Sequence, residues 1–156
     1  MKQSAVALMI YDGRFLIGKA PNHDRWDFPK GEIGEFESPV EASIREAKEE
    51  TGIHIKSGGT GLTQFVYGIG PIDYLKNKKL FINVFRLTKR QAQTKLKCSS
   101  FYEYEGKKFP ELFEFKWITW DEKDDYLYHS LVKALKNYEY LGEVIQDEDT
   151  TKIDVG

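Results

Sequence analysis

Three observations predict a single α/β sandwich: β-rich runs spread along the chain, one helix with explicit start and stop signals, and a second stretch of helical period near the C-terminus. At 156 residues, 40% hydrophobic and 14% aromatic, the chain can bury one core and is too short for two ordinary domains. Its 23 Lys and Arg against 25 Asp and Glu give a formal charge of −2. No global positive field is available to hold nucleic acid, so no DNA partner is expected and only local basic patches remain. A single cysteine, Cys98, excludes an internal disulfide framework and a Cys-rich zinc site, and reads as an inert, partly buried thiol. No stretch approaches a membrane span and the start lacks a small-residue cleavage site, so a cytoplasmic protein with no membrane partner is expected. Oligomeric state leaves no trace in the sequence.

The elements follow in order. Residues 4–11 and 14–19 are β-rich and flank Asp12-Gly13, a hairpin pair. Residues 21–34, rich in Pro, Gly, Asn and Asp, lack either period and read as a loop. A helix then opens at Ser38, a capping residue, with Pro39 in the first helical position, Glu41 completing a Ser-x-x-Glu box and Gly52 suited to a left-handed end. Residues 62–67, 80–87 and 113–120 read as strands. From Asp124 to Leu141 the residues Leu127, Leu131, Leu135, Tyr138 and Leu141 recur at helical spacing and predict a second amphipathic helix. The domain is expected over 1–141, followed by an acidic, flexible tail over 142–156.

On the first helix, Val40, Ile44, Ala47 and Thr51 form one stripe while Glu46, Glu49 and Glu50 gather on roughly the opposite side. A Glu-rich face is ordinarily just solvated. Here Glu46 and Glu50 are a like-charged i, i+4 pair with Glu49 between them, an arrangement a divalent cation would relieve. Three carboxylates offer hard oxygen ligands suited to magnesium or manganese. Such an ion binds phosphates and activates water, which is pyrophosphatase chemistry.

The run from Gly31 to Ile53, with Glu37, Arg45, Glu46, Ala47, Glu49, Glu50, Gly52 and Ile53 at their fixed positions, resembles the complete Nudix box, Gly-x5-Glu-x7-Arg-Glu-U-x-Glu-Glu-x-Gly-U, U being bulky or apolar. The resemblance implies an α/β/α sandwich with a mixed sheet and hydrolysis of a diphosphate linkage in a nucleoside diphosphate joined to another group. It implies Mg2+, with Mn2+ as the substitute, held by Glu46, Glu49, Glu50 and the Gly31 carbonyl, with Glu37 and Arg45 as a supporting ion pair. Trp26-Asp-Phe-Pro-Lys30-Gly31 is similar to the Trp-x-x-Pro-Lys-Gly lead-in of Nudix enzymes that cleave dinucleoside polyphosphates and of some acting on RNA 5′ ends, so Lys30 is expected to reach a substrate phosphate. The segment 110–117 is similar to one in the same groups in which the Glu after Pro, here Glu111, is a fourth metal-binding carboxylate. Glu114 is the alternative. The catalytic base is left among Glu49, Glu50 and Glu111. The expected substrate is a nucleotide-type small molecule, first a dinucleoside polyphosphate, then a triphosphorylated RNA 5′ end, then ADP-ribose or a nucleotide sugar. A nucleotide-sensing domain without turnover is the non-enzymatic alternative.

Base stacking has candidates in Tyr67, Tyr74, Phe81, Tyr102 and Tyr104, none singled out. Lys76, Lys78 and Lys79 read as a solvated hairpin turn. Residues 13–20 approach the P-loop pattern, but Ala20 lacks the metal-binding hydroxyl, Pro21 follows and the run reads as strand. His23, His54 and His129 have no metal-ligand spacing.

Overall fold

The computed structural model describes residues 2–56 and 64–147. Strand β1 (Lys2–Tyr11) is fully buried from Ala5 to Ile10. A run apolar at every position is what a strand covered on both faces requires. Asp12 and Gly13, both at positive φ, turn it into β2 (Arg14–Lys19) in an antiparallel hairpin. Helix α1 spans Pro39–Thr51 with the expected capping box at Ser38 and Gly52 left-handed at its end. Strands β4 (Phe65–Leu75) and β5 (Lys78–Arg86) form a long hairpin, and β5 runs parallel to β1. After a short helix α2 (Lys89–Ala92) come β6 (Phe101–Tyr104), β7 (Lys107–Pro110) and β8 (Glu114–Ile118).

The main sheet is mixed, ordered β4-β5-β1-β2-β8, with β3 (Lys30–Glu32) also on β1. Alternation along β1 sends Val6, Leu8 and Ile10 to one face, where they pack with Leu127, Leu131, Leu135, Leu141 and Ile145. Ala7 and Met9 face the other way, against Ala47, Ile53 and Phe85, with Val40 and Ile44 at the margin. Helical segments therefore cover both sheet faces, giving an α/β/α sandwich. Under α1, Asn83 Nδ2 donates to Ser43 Oγ at 2.8 Å, a buried pair that fixes the helix on β5.

Several elements differ from their expected form. Lys30–Glu32 is a strand inside the predicted loop: too short to show a period, it forms because Ser4 to Val6 offer it a ladder. The single helix over 124–141 is broken into α3 (Lys123–Tyr126), α4 (His129–Ala134), a 3-10 turn Leu135–Tyr138 and α5 (Leu141–Gln146). Its first break comes from main-chain pairing, since Trp26 N donates to the Tyr126 carbonyl and Tyr128 N to the Trp26 carbonyl, while Arg25 takes the carbonyls of Asp124, Asp125 and Leu127. The leucine period survives these breaks because all pieces pack on one sheet face. Ordered chain continues through α5, which buries Ile145, so a tail beginning at 142 starts too early; residues 148–156 lie outside the described residues. Of the strand expected over 62–67, residues 62 and 63 lie outside the described residues and β4 runs on to Leu75. The last expected strand is trimmed to Glu114–Ile118. Among the described residues no helix is long and apolar enough to cross a membrane.

Candidate active site

The site forms where α1, β3 and the segment before β8 meet. Arg45 is its organiser. Its guanidinium donates twice to Glu37, at 2.7 and 2.8 Å, and once each to Glu46 Oε1 (2.8 Å), Glu49 Oε2 (3.2 Å) and the Glu32 carbonyl (3.0 Å). Glu37 also accepts from Gly34 N at 2.8 Å. The Arg45 hydrogen bonds hold the Glu37 carboxyl down at about 2 against the opposing effect of burial.

Glu46 and Glu50 do not lie on a solvated side. They are only 6% and 3% exposed and share the inward face with Ala42, Ser43 and Ala47. Loop and β3 backbone rise over that part of the helix, which wheel geometry alone cannot register. Glu50 Oε1 accepts from Lys30 N at 3.1 Å. Glu46 fits against Gly31 so closely that a Cβ there would stand 2.0 Å from Oε1, which is why this position takes glycine. Burial pushes the Glu46 carboxyl up despite Arg45, and burial together with Glu46 pushes Glu50 well up; Glu111 adds to both. Glu49 is the more open of the three, its side chain 39% exposed.

Glu111 lies within the field of the helix carboxylates, and Ser100 Oγ donates to it at 3.2 Å. Glu114 is drawn away on β8 to Lys19, 3.6 Å distant. Lys30 Nζ stands 3.1 Å from Asp27 Oδ2. Burial works against its charge, yet Asp27, helped by Tyr74 and Glu50, raises the lysine above its ordinary value. Trp26 and Phe28 seal the loop: Phe28 is in the core and Trp26 meets Tyr126 edge-on. Beside this corner an open groove of about 560 Å³ is lined by Ile72, Tyr74, Lys76, Lys133, Asn137 and Tyr138.

Whether a divalent ion fits rests on these donors. Among the described residues, no three carboxylates, histidines or cysteines already enclose an ion position, since Arg45 engages Glu46 and Glu49 while Lys30 N engages Glu50. The set nevertheless suits one: hard oxygens, two of them buried and mutually repelling, beside a glycine that leaves no room for a side chain.

Two features escaped sequence reasoning. Asp27, the partner of Lys30, was signalled only by its i, i+3 spacing. The β6–β7 hairpin was signalled by Glu105-Gly106 between β-forming flanks, both residues adopting positive φ. Tyr67 is occupied by Tyr140, hydroxyl to hydroxyl at 3.1 Å. The P-loop-like run is strand β2, and Cys98 is buried.

An α/β/α sandwich presenting a carboxylate helix at its sheet margin defines a Nudix fold. The family model for the NUDIX domain matches residues 1–138, and the chain belongs to that family. An RNA pyrophosphohydrolase of Xylella fastidiosa is 44% identical over 48 residues, 31% of this chain and 25% of the relative, so the match spans a quarter of that protein's length. A Caenorhabditis elegans Ap4A hydrolase superposes with a TM-score of 0.55 at 19% identity, covering 90% of this chain and 97% of that one. A bifunctional NMN adenylyltransferase/ADP-ribose pyrophosphatase of Francisella tularensis, in complex with AMP and a manganese ion, superposes with a TM-score of 0.56 at 18% identity over 88% of this chain and 41% of that one.

Proposed function

We propose that the protein hydrolyses a diphosphate linkage in a nucleoside diphosphate joined to another group, with Mg2+ or Mn2+ as cofactor. The observation that carries this reading is the burial of Glu46, set against Gly31, beside Glu50, two carboxylates whose mutual repulsion Arg45 and Lys30 offset only in part and a bound cation would relieve. Glu46, Glu49, Glu50 and the Gly31 carbonyl, with Glu111, would hold the ion. When bound, it supplies neutralisation of phosphate charge and acidification of water.

The chain's own residues do the rest. Arg45, gripped by Glu37, sets the directions of the Glu46 and Glu49 carboxylates. Lys30, steadied by Asp27, offers an ammonium to a phosphate oxygen. Glu49, Glu50 or Glu111 takes the proton of the attacking water. The groove at Tyr74 has room for a nucleoside beside that ammonium.

A dinucleoside polyphosphate is the first expected substrate, supported by the Lys30 lead-in and Glu111. A triphosphorylated RNA 5′ end is the second reading, favoured by the pyrophosphohydrolase relatives. The test is a panel of diadenosine polyphosphates, ADP-ribose, nucleoside triphosphates and triphosphorylated RNA, incubated with magnesium and resolved by product. Turnover of at least one is expected. Turnover of none would replace this reading by a nucleotide-sensing domain, against which the complete carboxylate set now stands.

A further inference from the structure

We propose that the β6–β7 hairpin is a platform for a single-stranded RNA segment leading away from the carboxylate site. The proposal rests on the hydrolase reading above and, of its two leading substrates, selects RNA.

The hairpin pairs with no other strand among the described residues and forms a two-stranded sheet of its own. Such a hairpin is marginal in water without something to pack against, so its anchoring matters. It is tied directly to the site. At its base Ser99 N and Oγ donate to the Glu49 carbonyl at 2.6 and 3.0 Å, Glu111 N donates to the Ser100 carbonyl at 3.0 Å, and Ser100 Oγ meets Glu111 Oε2. An arm anchored on the Glu49 main chain and on the Glu111 carboxylate is placed to meet whatever continues beyond the scissile linkage.

Its surface has the chemistry of a single strand. Cross-strand register puts Tyr102, Phe109, Tyr104 and Lys107 on one face, the Tyr102 and Phe109 rings 5.8 Å apart and Tyr104 62% exposed. Stacking on such rings is indifferent to sequence, and neighbouring cations meet the backbone phosphates. Residues 89–110 hold six basic and two acidic side chains in a chain whose net charge is −2. Within the hairpin Lys107 and Lys108 are matched by Glu103 and Glu105, the excess coming from Lys89, Arg90, Lys95 and Lys97 just before it in the chain, and Lys107 is the cation set among the rings.

Exposed aromatics continue beyond the hairpin. Phe36, 98% exposed, sits in the loop before α1 that Glu37 pins to Arg45. Phe113, 63% exposed, follows Glu111 by two residues. The segments leading into α1 and β8 thus present rings to solvent, more than one base can cover. A lone nucleoside is already accommodated in size by the groove at Tyr74.

The test uses two probes on the full chain. A fluorescein-labelled single-stranded RNA of about eight nucleotides with a 5′-hydroxyl reports binding by anisotropy without turnover. Wild type is expected to bind it more tightly than labelled AMP, and Tyr104→Ala and Lys107→Glu should each weaken it about tenfold, with Tyr104→Trp restoring it. The same variants should raise KM for the 5′-triphosphorylated RNA by a similar factor while leaving kcat and turnover of diadenosine tetraphosphate within about twofold, which also shows that they fold. Equal binding of RNA and AMP by wild type, or variants that leave RNA affinity unchanged, would overturn the proposal. Absence of turnover on every substrate with hairpin-dependent RNA binding intact would instead overturn the hydrolase reading alone.

Discussion

Glu50 is 3% exposed, and the Lys30 N–H and ammonium offset only part of what burial and Glu46 cost its charge. Because burial and Glu46 raise its pKa well above the usual carboxylate value, the folded state holds that proton more tightly than the unfolded chain. The cost is therefore present at neutral pH and relieved as pH falls through the raised value. Glu50→Gln should melt about 2–4 °C higher than wild type in EDTA, an effect of about 1 kcal/mol, while losing about two orders of magnitude in turnover. Differential scanning calorimetry beside a product assay checks both. Glu37 behaves oppositely. Its carboxyl, held at about 2 by Arg45 from an ordinary 4.5, contributes stability that is complete above 4.5 and is lost as pH falls toward 2. Denaturation curves at a series of acid pH values should show wild type losing about 1 kcal/mol more than Glu37→Gln across that window, the modest size reflecting an Arg45 side chain 36% exposed to water.

At the scale of elements, local chemistry and tertiary context separate cleanly. Helix α1 was legible to the residue because its signals are local: Ser38, Pro39, Glu41 and Gly52 each satisfy or terminate backbone hydrogen bonds within a turn. Ser38→Ala should accordingly cost about 1 kcal/mol in denaturant unfolding. Strand β3 and the breaks after Tyr126 were not legible, because the bonds that make them come from β1 and from Trp26, distant in sequence. The same limit applied to the site. Glu46, Glu49 and Glu50 stood out by type and spacing, whereas the burial of two of them depends on β3 crossing the helix. Asp27 was signalled only by its i, i+3 spacing from Lys30, and Ser99 acts through a contact with Glu49 that no pattern in the chain announces. Helix α5 follows suit: read as polar tail, it is held by Leu141 and Ile145 against the sheet. Ile145→Ala should cost about 2–5 kcal/mol, measured by the same unfolding curves; no loss would return residues 142–147 to the tail.

Across the whole molecule, the sheet divides the interior into two cores, and the carboxylates sit at the margin of the one beneath α1. One core carries stability through the leucines of the C-terminal segments; the other fixes α1 while its edge holds an unfavourable concentration of negative charge. That division explains why a site costly to the apo protein can persist in a stable fold. It also makes the central claim directly measurable. Turnover of the best substrate in the panel should be followed after exhaustive chelation with EDTA, after addition of magnesium or manganese, and in Glu50→Gln. The account predicts no turnover with EDTA, full recovery on adding either ion, and little recovery in the variant. Full activity after chelation, or wild-type turnover in Glu50→Gln, would contradict it.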